Sequence, residues 1–136
     1  MDCNELCKEL VKRKDCAHVS LKDSLPYILQ LSEKKVQAIE HGVGGFNVND
    51  LILYIHMCNA SINLLGQEFW VIDSVDDLRK CIKSEREFYN ISSKKLARTV
   101  KIQIAVIEAF ESRGGGLRID SFLDIINTLD IHIQFD

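Results

Sequence analysis

The chain has few of the features that mark secreted, membrane-spanning or disulfide-stabilised proteins. It contains one proline, one tryptophan and five cysteines in 136 residues. An odd number of cysteines gives no paired framework, which predicts free thiols in a reducing compartment. No run of 18 apolar residues is present, so no membrane span is expected. The acidic first residues lack the apolar segment of a signal peptide, and we therefore expect a cytoplasmic protein.

Residue patterns for enzymatic or metal chemistry are also missing. The glycines at positions 114–116 follow a predicted helix, whereas a phosphate-binding glycine loop precedes one. No nucleophile stands at motif spacing from any of the four histidines. One group could be drawn as a zinc site but has none of the common zinc spacings: Cys3, Cys7, Cys16 and His18. We expect no enzymatic activity, no cofactor, no metal and no small-molecule substrate.

The overall charge argues against simple nucleic-acid binding. The net charge is −3, with 27% charged and 46% apolar residues, which is typical of a globular protein. A DNA-binding protein is usually basic. Net charge is a poor guide, however, when the cations cluster on one face.

The chain contains one stretch twice. Residues 25–64 align with residues 96–135 at an offset of 71 without a gap, and their apolar positions coincide. Ala38/Ala109, Glu40/Glu111 and the glycine pairs at 44–45 and 115–116 are identical. Upstream, the two copies align at an offset of 72. Two unrelated amphipathic helices would share their period but not a glycine pair and a glutamate, so the sequence predicts a tandem repeat of one small domain.

Periodicity and capping residues predict the elements of each repeat. In the first repeat we expect helices over residues 3–14, from near Ser24 with Pro26 in its first turn, from cap Ser32 to residue 41, and from Asn47 or Asn49 to residue 58. Strand-like alternation follows at residues 61–64 and 67–72. In the second repeat we expect helices over residues 75–88, from cap Ser92 to residue 100, 103–112 and 119–129, then a strand at 131–135. The strand-like segments are expected to form a small shared sheet.

These elements define the predicted organisation of the chain. The fold class is mainly all-α, a tandem repeat of a four-helix domain with a short β-strand segment after each copy. The predicted boundaries are residues 1–65 for the first domain, 66–74 for a strand-like connector and 75–136 for a second, diverged domain.

The repeated unit resembles the lambda-repressor-like helix-turn-helix family of phage and bacterial regulators, which includes the Cro, phage-repressor and XRE types. The second repeat carries the spacing of this family at Leu96, Ala97, Val100, Ile102, Ile107, Phe110 and Glu111. The first repeat places Leu25, Pro26, Leu29, Leu31, Val36, Ile39, Glu40 and Gly42 in the same way. The chain departs from the family at the turn, where Gln30 and Lys101 replace a common glycine, and at Pro26, where alanine is usual.

The resemblance implies that the third helix of each unit enters the DNA major groove. In the first repeat it assigns base contacts to Ser32, Glu33, Lys34, Lys35 and Gln37. Lysine can contact guanine, glutamine adenine and glutamate cytosine, so this set is able to read sequence. The alternative is an ordinary solvated helix face.

The second repeat presents a different surface at the equivalent positions. Gln103 is followed by Ile104, Ala105 and Val106, an apolar run that reads DNA poorly and suits a protein contact better. Its second helix carries three cations that the resemblance places near phosphates, namely Lys94, Lys95 and Arg98. Here too the alternative is a solvated face.

Two functions follow from these observations. The first is a sequence-specific regulator that binds double-stranded DNA, either as a pseudo-dimer within one chain or with one repeat on DNA and the other forming a homodimer. The second is a protein-interaction module, such as an antirepressor or the partner of a regulator, which contacts its partner through the second repeat and does not bind DNA.

Overall fold

The computed structural model describes residues 1–17, 31–114 and 116–135, and the side chains of all of these except residues 15–17. The described residues are mainly helical, with one small antiparallel sheet. The helices are α1 (Cys3–Ala17), α2 (Glu33–His41), α3 (Val48–Met57), α4 (Val75–Phe88), α5 (Ser93–Val100), α6 (Ile104–Arg113) and α7 (Ile119–Thr128). The strands are β1 (Ile62–Leu65), β2 (Phe69–Ile72) and β3 (His132–Phe135). The helix predicted from near Ser24 lies outside the described residues.

Local capping sets both ends of α2 and the start of α3, as the sequence predicted. The Ser32 hydroxyl accepts the backbone N–H of Lys35, and α2 stops at Gly42, whose φ of 67° is left-handed. Of the two predicted caps of α3, Asn47 is the one used. Its side chain and that of Asp50 form a reciprocal capping box. Such boxes satisfy two backbone donors that the helix itself leaves unpaired.

Lys101 ends α5 in the left-handed conformation, with φ 59° and ψ 45°. A side chain at this φ strains the backbone by about 1–2 kcal/mol, whereas glycine does not feel that strain. We expect Lys101→Gly to raise the free energy of unfolding by about 0.5–1 kcal/mol in urea titrations, after the greater unfolded-state entropy of glycine is subtracted. Thr99→Gly, at an exposed position one residue before the end of α5, should instead lower stability by about 0.3–0.5 kcal/mol. Equal destabilisation by both variants would contradict this account of the turn.

The three strands form one sheet in the order β2-β1-β3, with both pairs antiparallel. This arrangement confirms the predicted shared sheet. It joins β1, which ends the first predicted repeat, directly to β3, which ends the second.

Backbone hydrogen bonds link the two halves of the chain in a reciprocal way. The amide of Val48 donates to the carbonyl of Leu117 at 2.9 Å, and the amide of Ile119 donates to the carbonyl of Phe46 at 3.0 Å. Residues 48 and 119 are 71 positions apart, as are residues 46 and 117. The same bond is therefore made twice with the roles exchanged, as at a two-fold interface between identical subunits.

Two residue pairs lie on the resulting pseudo-two-fold axis. Asn47 forms an isolated antiparallel bridge with Arg118, and Asn63 of β1 pairs with Gln134 of β3. The members of both pairs are 71 residues apart. Helix packing follows the same axis, because α1 packs on α7 as α4 packs on α3. The axis thus relates the region around α2 and α3 to the region around α6 and α7.

Candidate nucleic-acid interface

The start of α2 presents polar side chains to solvent. Ser32, Glu33, Lys34 and Gln37 are exposed, while Ile39 is fully buried on the opposite face. Within the described residues, Lys34 has no ion-pair partner. An open groove of about 590 Å³ runs beside this surface and the following glycine loop, and Lys34 and Gln37 both line it. These two side chains are therefore available to an external ligand.

Two contacts hold the Lys35 side chain against the protein, and the sequence predicted neither of them. Its ammonium donates to the carbonyl of Gly45 at 2.9 Å and lies 3.4 Å from Oδ2 of Asp50. Asp50 also belongs to the capping box of α3, so Lys35 fastens α2 to the glycine loop and to the start of the next helix. Lys35, which the sequence predicted to contact bases, therefore also has a structural role.

A cationic face covers the outside of α5. Lys94, Lys95 and Arg98 are all exposed, and the eight residues of α5 contain no carboxylate. Leu96 and Ala97 lie on its buried face. A helix face with three cations and no acid attracts an anion more strongly than a face of mixed charge.

The start of α6 is exposed and apolar, as the sequence predicted. Ile104 is 39% exposed and Val106 38%, and Ala105 between them is exposed too. Gln103 is the N-cap residue but makes no side-chain cap hydrogen bond. Because α5 packs against α6, Gln103 belongs to the same half of the molecule as the cationic face. The predicted residues of α2 belong to the other half, across the pseudo-two-fold axis.

Glutamate stands at both position 40 and position 111, and Glu111 has a structural role. Glu111 is buried and accepts three hydrogen bonds from Arg86: Nη2 to Oε1 at 2.7 Å, and Nε to Oε1 and Oε2 at 3.0 and 3.1 Å. The remaining Arg86 Nη1 donates to the carbonyl of Ile91 at 2.7 Å. This network ties the end of α4 to α6.

The first half repeats this ion pair in a more exposed form. Glu40 pairs with Lys14 of α1, and the two side chains are 31% and 37% exposed. The hydroxyl of Tyr54 donates to the same carboxylate at 3.4 Å. Each half therefore joins its first helix to the helix that carries the predicted DNA-contacting positions.

Sequence reasoning missed one exposed cation near the pseudo-two-fold axis. Arg118 precedes α7, is exposed and makes no side-chain cap hydrogen bond. No signal in the sequence identified it, because the offset of 71 makes Arg118 equivalent to Asn47 without showing that the two residues meet. A cation on the axis would face both halves of a symmetric ligand equally.

Cys7 and Cys81 are poorly suited to thiolate chemistry. Burial raises the pKa of the Cys7 thiol to about 12, and the nearby Cys3, 3.9 Å away between sulfurs, adds to the shift. Burial also raises the pKa of Cys81 to about 12, with a further contribution from the carboxylate of Glu85. Both thiols are therefore protonated at neutral pH. The side chains of the other two residues in the candidate zinc group, Cys16 and His18, are outside the described part.

No helix in the described ranges is both long and apolar enough to cross a membrane. Those ranges also contain no group of three or more histidine, cysteine or acidic side chains arranged to hold a metal ion.

The candidate interface consists of a polar helix start on α2, a cationic face on α5 and an apolar helix start on α6. No protein-family model, curated protein or solved structure has significant similarity to this chain.

Proposed function

We propose that the chain is a sequence-specific DNA-binding regulator whose two halves act as a helix-turn-helix dimer within one polypeptide. The observation that carries this proposal is the pseudo-two-fold axis marked by the pairs Asn47–Arg118 and Asn63–Gln134. Helix-turn-helix dimers bind operators whose half-sites are related by the same symmetry. A chain with an internal axis is suited to one pseudo-palindromic site.

The second half supports the helix-turn-helix assignment most directly. Helix α5 is followed by a short turn at residues 101–103 and then by α6, and these two helices pack against each other. Each half would be a four-helix domain followed by a strand. Helices α4 to α7 with β3 would form one such unit. Helices α1, α2 and α3 with β1 would belong to the other, together with the helix predicted from near Ser24, which lies outside the described residues.

The two halves would contribute differently to DNA binding. Lys34 and Gln37 would contact base edges from α2, with Ser32 and Glu33 beside them. The α5 cations would bind the phosphate backbone, and Gln103 would reach the groove from the second half. Because the net charge is −3, binding would depend on these local faces rather than on the charge of the whole protein.

A fluorescence-anisotropy titration against random-sequence duplex DNA tests this function. We expect affinity to fall steeply as salt rises, because phosphate contacts release counterions. Lys34→Ala should weaken binding, by about 1–3 kcal/mol at a preferred site if Lys34 reads a base. Lys12→Ala removes an exposed charge on α1 and serves as the matched control. An absence of binding even at low salt would refute the proposal.

A protein-interaction module is the second candidate, and the apolar start of α6 favours it. Exposed Ile104 and Val106 form a surface that a protein partner or a second copy could cover. In that case the protein would not bind DNA, and Ile104→Lys with Val106→Lys would abolish partner binding or self-association in sedimentation experiments. Retention of DNA binding by this double variant would favour the first candidate.

A further inference from the structure

Strand β2 is held in place by contacts with both β1 and α4. It pairs with β1 and packs against α4. The buried carboxylate of Glu85 on α4 accepts hydrogen bonds from the backbone N–H groups of Gln67 and Glu68, at 3.0 and 3.2 Å, and from Nε1 of Trp70 at 3.0 Å. Gly66 permits this approach, since a Cβ there would lie 2.4 Å from a Glu85 oxygen. An acidic side chain on α4 thus binds the donors of the incoming strand.

The pseudo-two-fold axis creates an equivalent position beside β3. The axis relates β3 to β1, and it relates α1 to α4 at an offset of 72. Among the described residues, β3 has no strand on its outer edge. Ile62 and Leu64 of β1 are completely buried, whereas their equivalents Ile133 and Phe135 in β3 remain half-buried. The described residues therefore leave unoccupied, beside β3, the position that β2 occupies beside β1.

Arg13 of α1 occupies the position beside β3 that is equivalent to the position of Glu85 of α4 beside β2. The two residues are 72 positions apart. The Arg13 guanidinium lies 5.7 Å from the centre of the Phe135 ring, and its buried Nε has no hydrogen-bond partner among the described residues. A buried donor without a partner is costly. Helix α1 therefore offers a hydrogen-bond donor, Arg13, at the position where α4 offers an acceptor, Glu85.

We propose that the outer edge of β3, together with Arg13, binds an extended segment of a partner protein that carries a carboxylate. The segment would add a fourth strand to the sheet and pair antiparallel with β3, as β2 pairs with β1. Its inward apolar side chains would cover Ile133 and Phe135. Its carboxylate would accept hydrogen bonds from Arg13, in the reverse of the contact that Trp70 makes with Glu85.

The charge at this edge selects the partner. The Arg13 guanidinium lies against Phe135 of β3 and brings a positive charge to the unoccupied position, which therefore matches an acidic segment. The β2 strand of a second copy is not available in this way. Its inner side is already covered by its own α4, and its Trp70 is bonded to its own Glu85.

The test measures the affinity of two synthetic peptides for the full chain. Both have the sequence of Gly66–Ser74, but glutamate replaces the tryptophan in one and lysine replaces it in the other. Fluorescence anisotropy should show at least about tenfold tighter binding of the glutamate peptide, because lysine would face Arg13. Arg13→Glu should reverse this preference. Lys12→Glu changes the net charge equally and should preserve the preference for the glutamate peptide.

The location of binding is tested by amide hydrogen exchange. The glutamate peptide should protect amides of residues 132–135 that face the open edge. If Arg13→Glu fails to fold, Arg13→Gln should abolish the preference between the peptides without reversing it. Equal binding of both peptides, or no binding up to about 1 mM, would overturn the proposal. Self-association that Arg13→Glu abolishes would also overturn it, because the edge would then belong to a second copy.

Discussion

Replacement of Arg86 by alanine is expected to lower the free energy of unfolding by about 3–5 kcal/mol, measured by urea titration with circular dichroism. The reason is the carboxylate that remains. The Glu111 side chain is 7% exposed, and Arg86 supplies all three of the side-chain hydrogen bonds described for it. A buried charge without its partner costs far more than the pair contributes when it is intact.

The first half of the chain offers a matched control for this prediction. Lys14→Ala breaks the equivalent pair with Glu40, whose side chains are 37% and 31% exposed, and should cost about 1 kcal/mol or less. Arg86→Met combined with Glu111→Leu removes both buried charges and should recover most of the loss. Equal costs for Arg86→Ala and Lys14→Ala would show that burial does not determine the strength of these pairs.

Helix positions could be predicted from the sequence because their causes are local. The Ser32 cap, the glycine stop at Gly42 and the apolar stripe between them lie within one short stretch. The same holds for α3, where Asn47 and Asp50 are three residues apart. Such signals need no knowledge of the remaining chain, and for the seven described helices the predicted ends differ from the observed ends by at most three residues.

Contacts between distant residues could not be predicted in this way. The identity of Glu40 and Glu111 was visible in the sequence, but their partners on α1 and α4 were not. The register of β1 against β3 was likewise hidden, although the offset of 71 contained it. A repeat offset predicts which residues are equivalent. It does not predict which equivalent residues contact each other, as Asn63 and Gln134 do on the pseudo-two-fold axis.

The candidate interface was predicted unevenly for the same reason. Lys94, Lys95 and Arg98 point outward because helical periodicity places Leu96 and Ala97 inward, and that geometry is local. Lys35 also lies away from the buried face of α2. The glycine loop that folds back to it supplies the carbonyl of Gly45, a contact that periodicity does not reveal.

Reversal of the cationic face on α5 is expected to have the largest effect on DNA binding. The triple variant Lys94→Glu, Lys95→Glu and Arg98→Glu should lose about 10³-fold in affinity for random duplex DNA at roughly 50 mM salt, if each cation neutralises one phosphate. The dependence of affinity on salt should also become shallower by about three counterions. Anisotropy titrations at several salt concentrations measure both quantities.

The variant should keep its fold, which makes the result interpretable. Its three positions are exposed, and two glutamates in the first turn of α5 suit the positive end of the helix dipole. The control variant Lys8→Glu, Lys80→Glu and Lys83→Glu changes the net charge by the same amount at exposed positions on α1 and α4. If both variants lose affinity equally, binding follows total charge and α5 has no special role. If only the α5 variant loses affinity, the cations of the second half hold the DNA backbone.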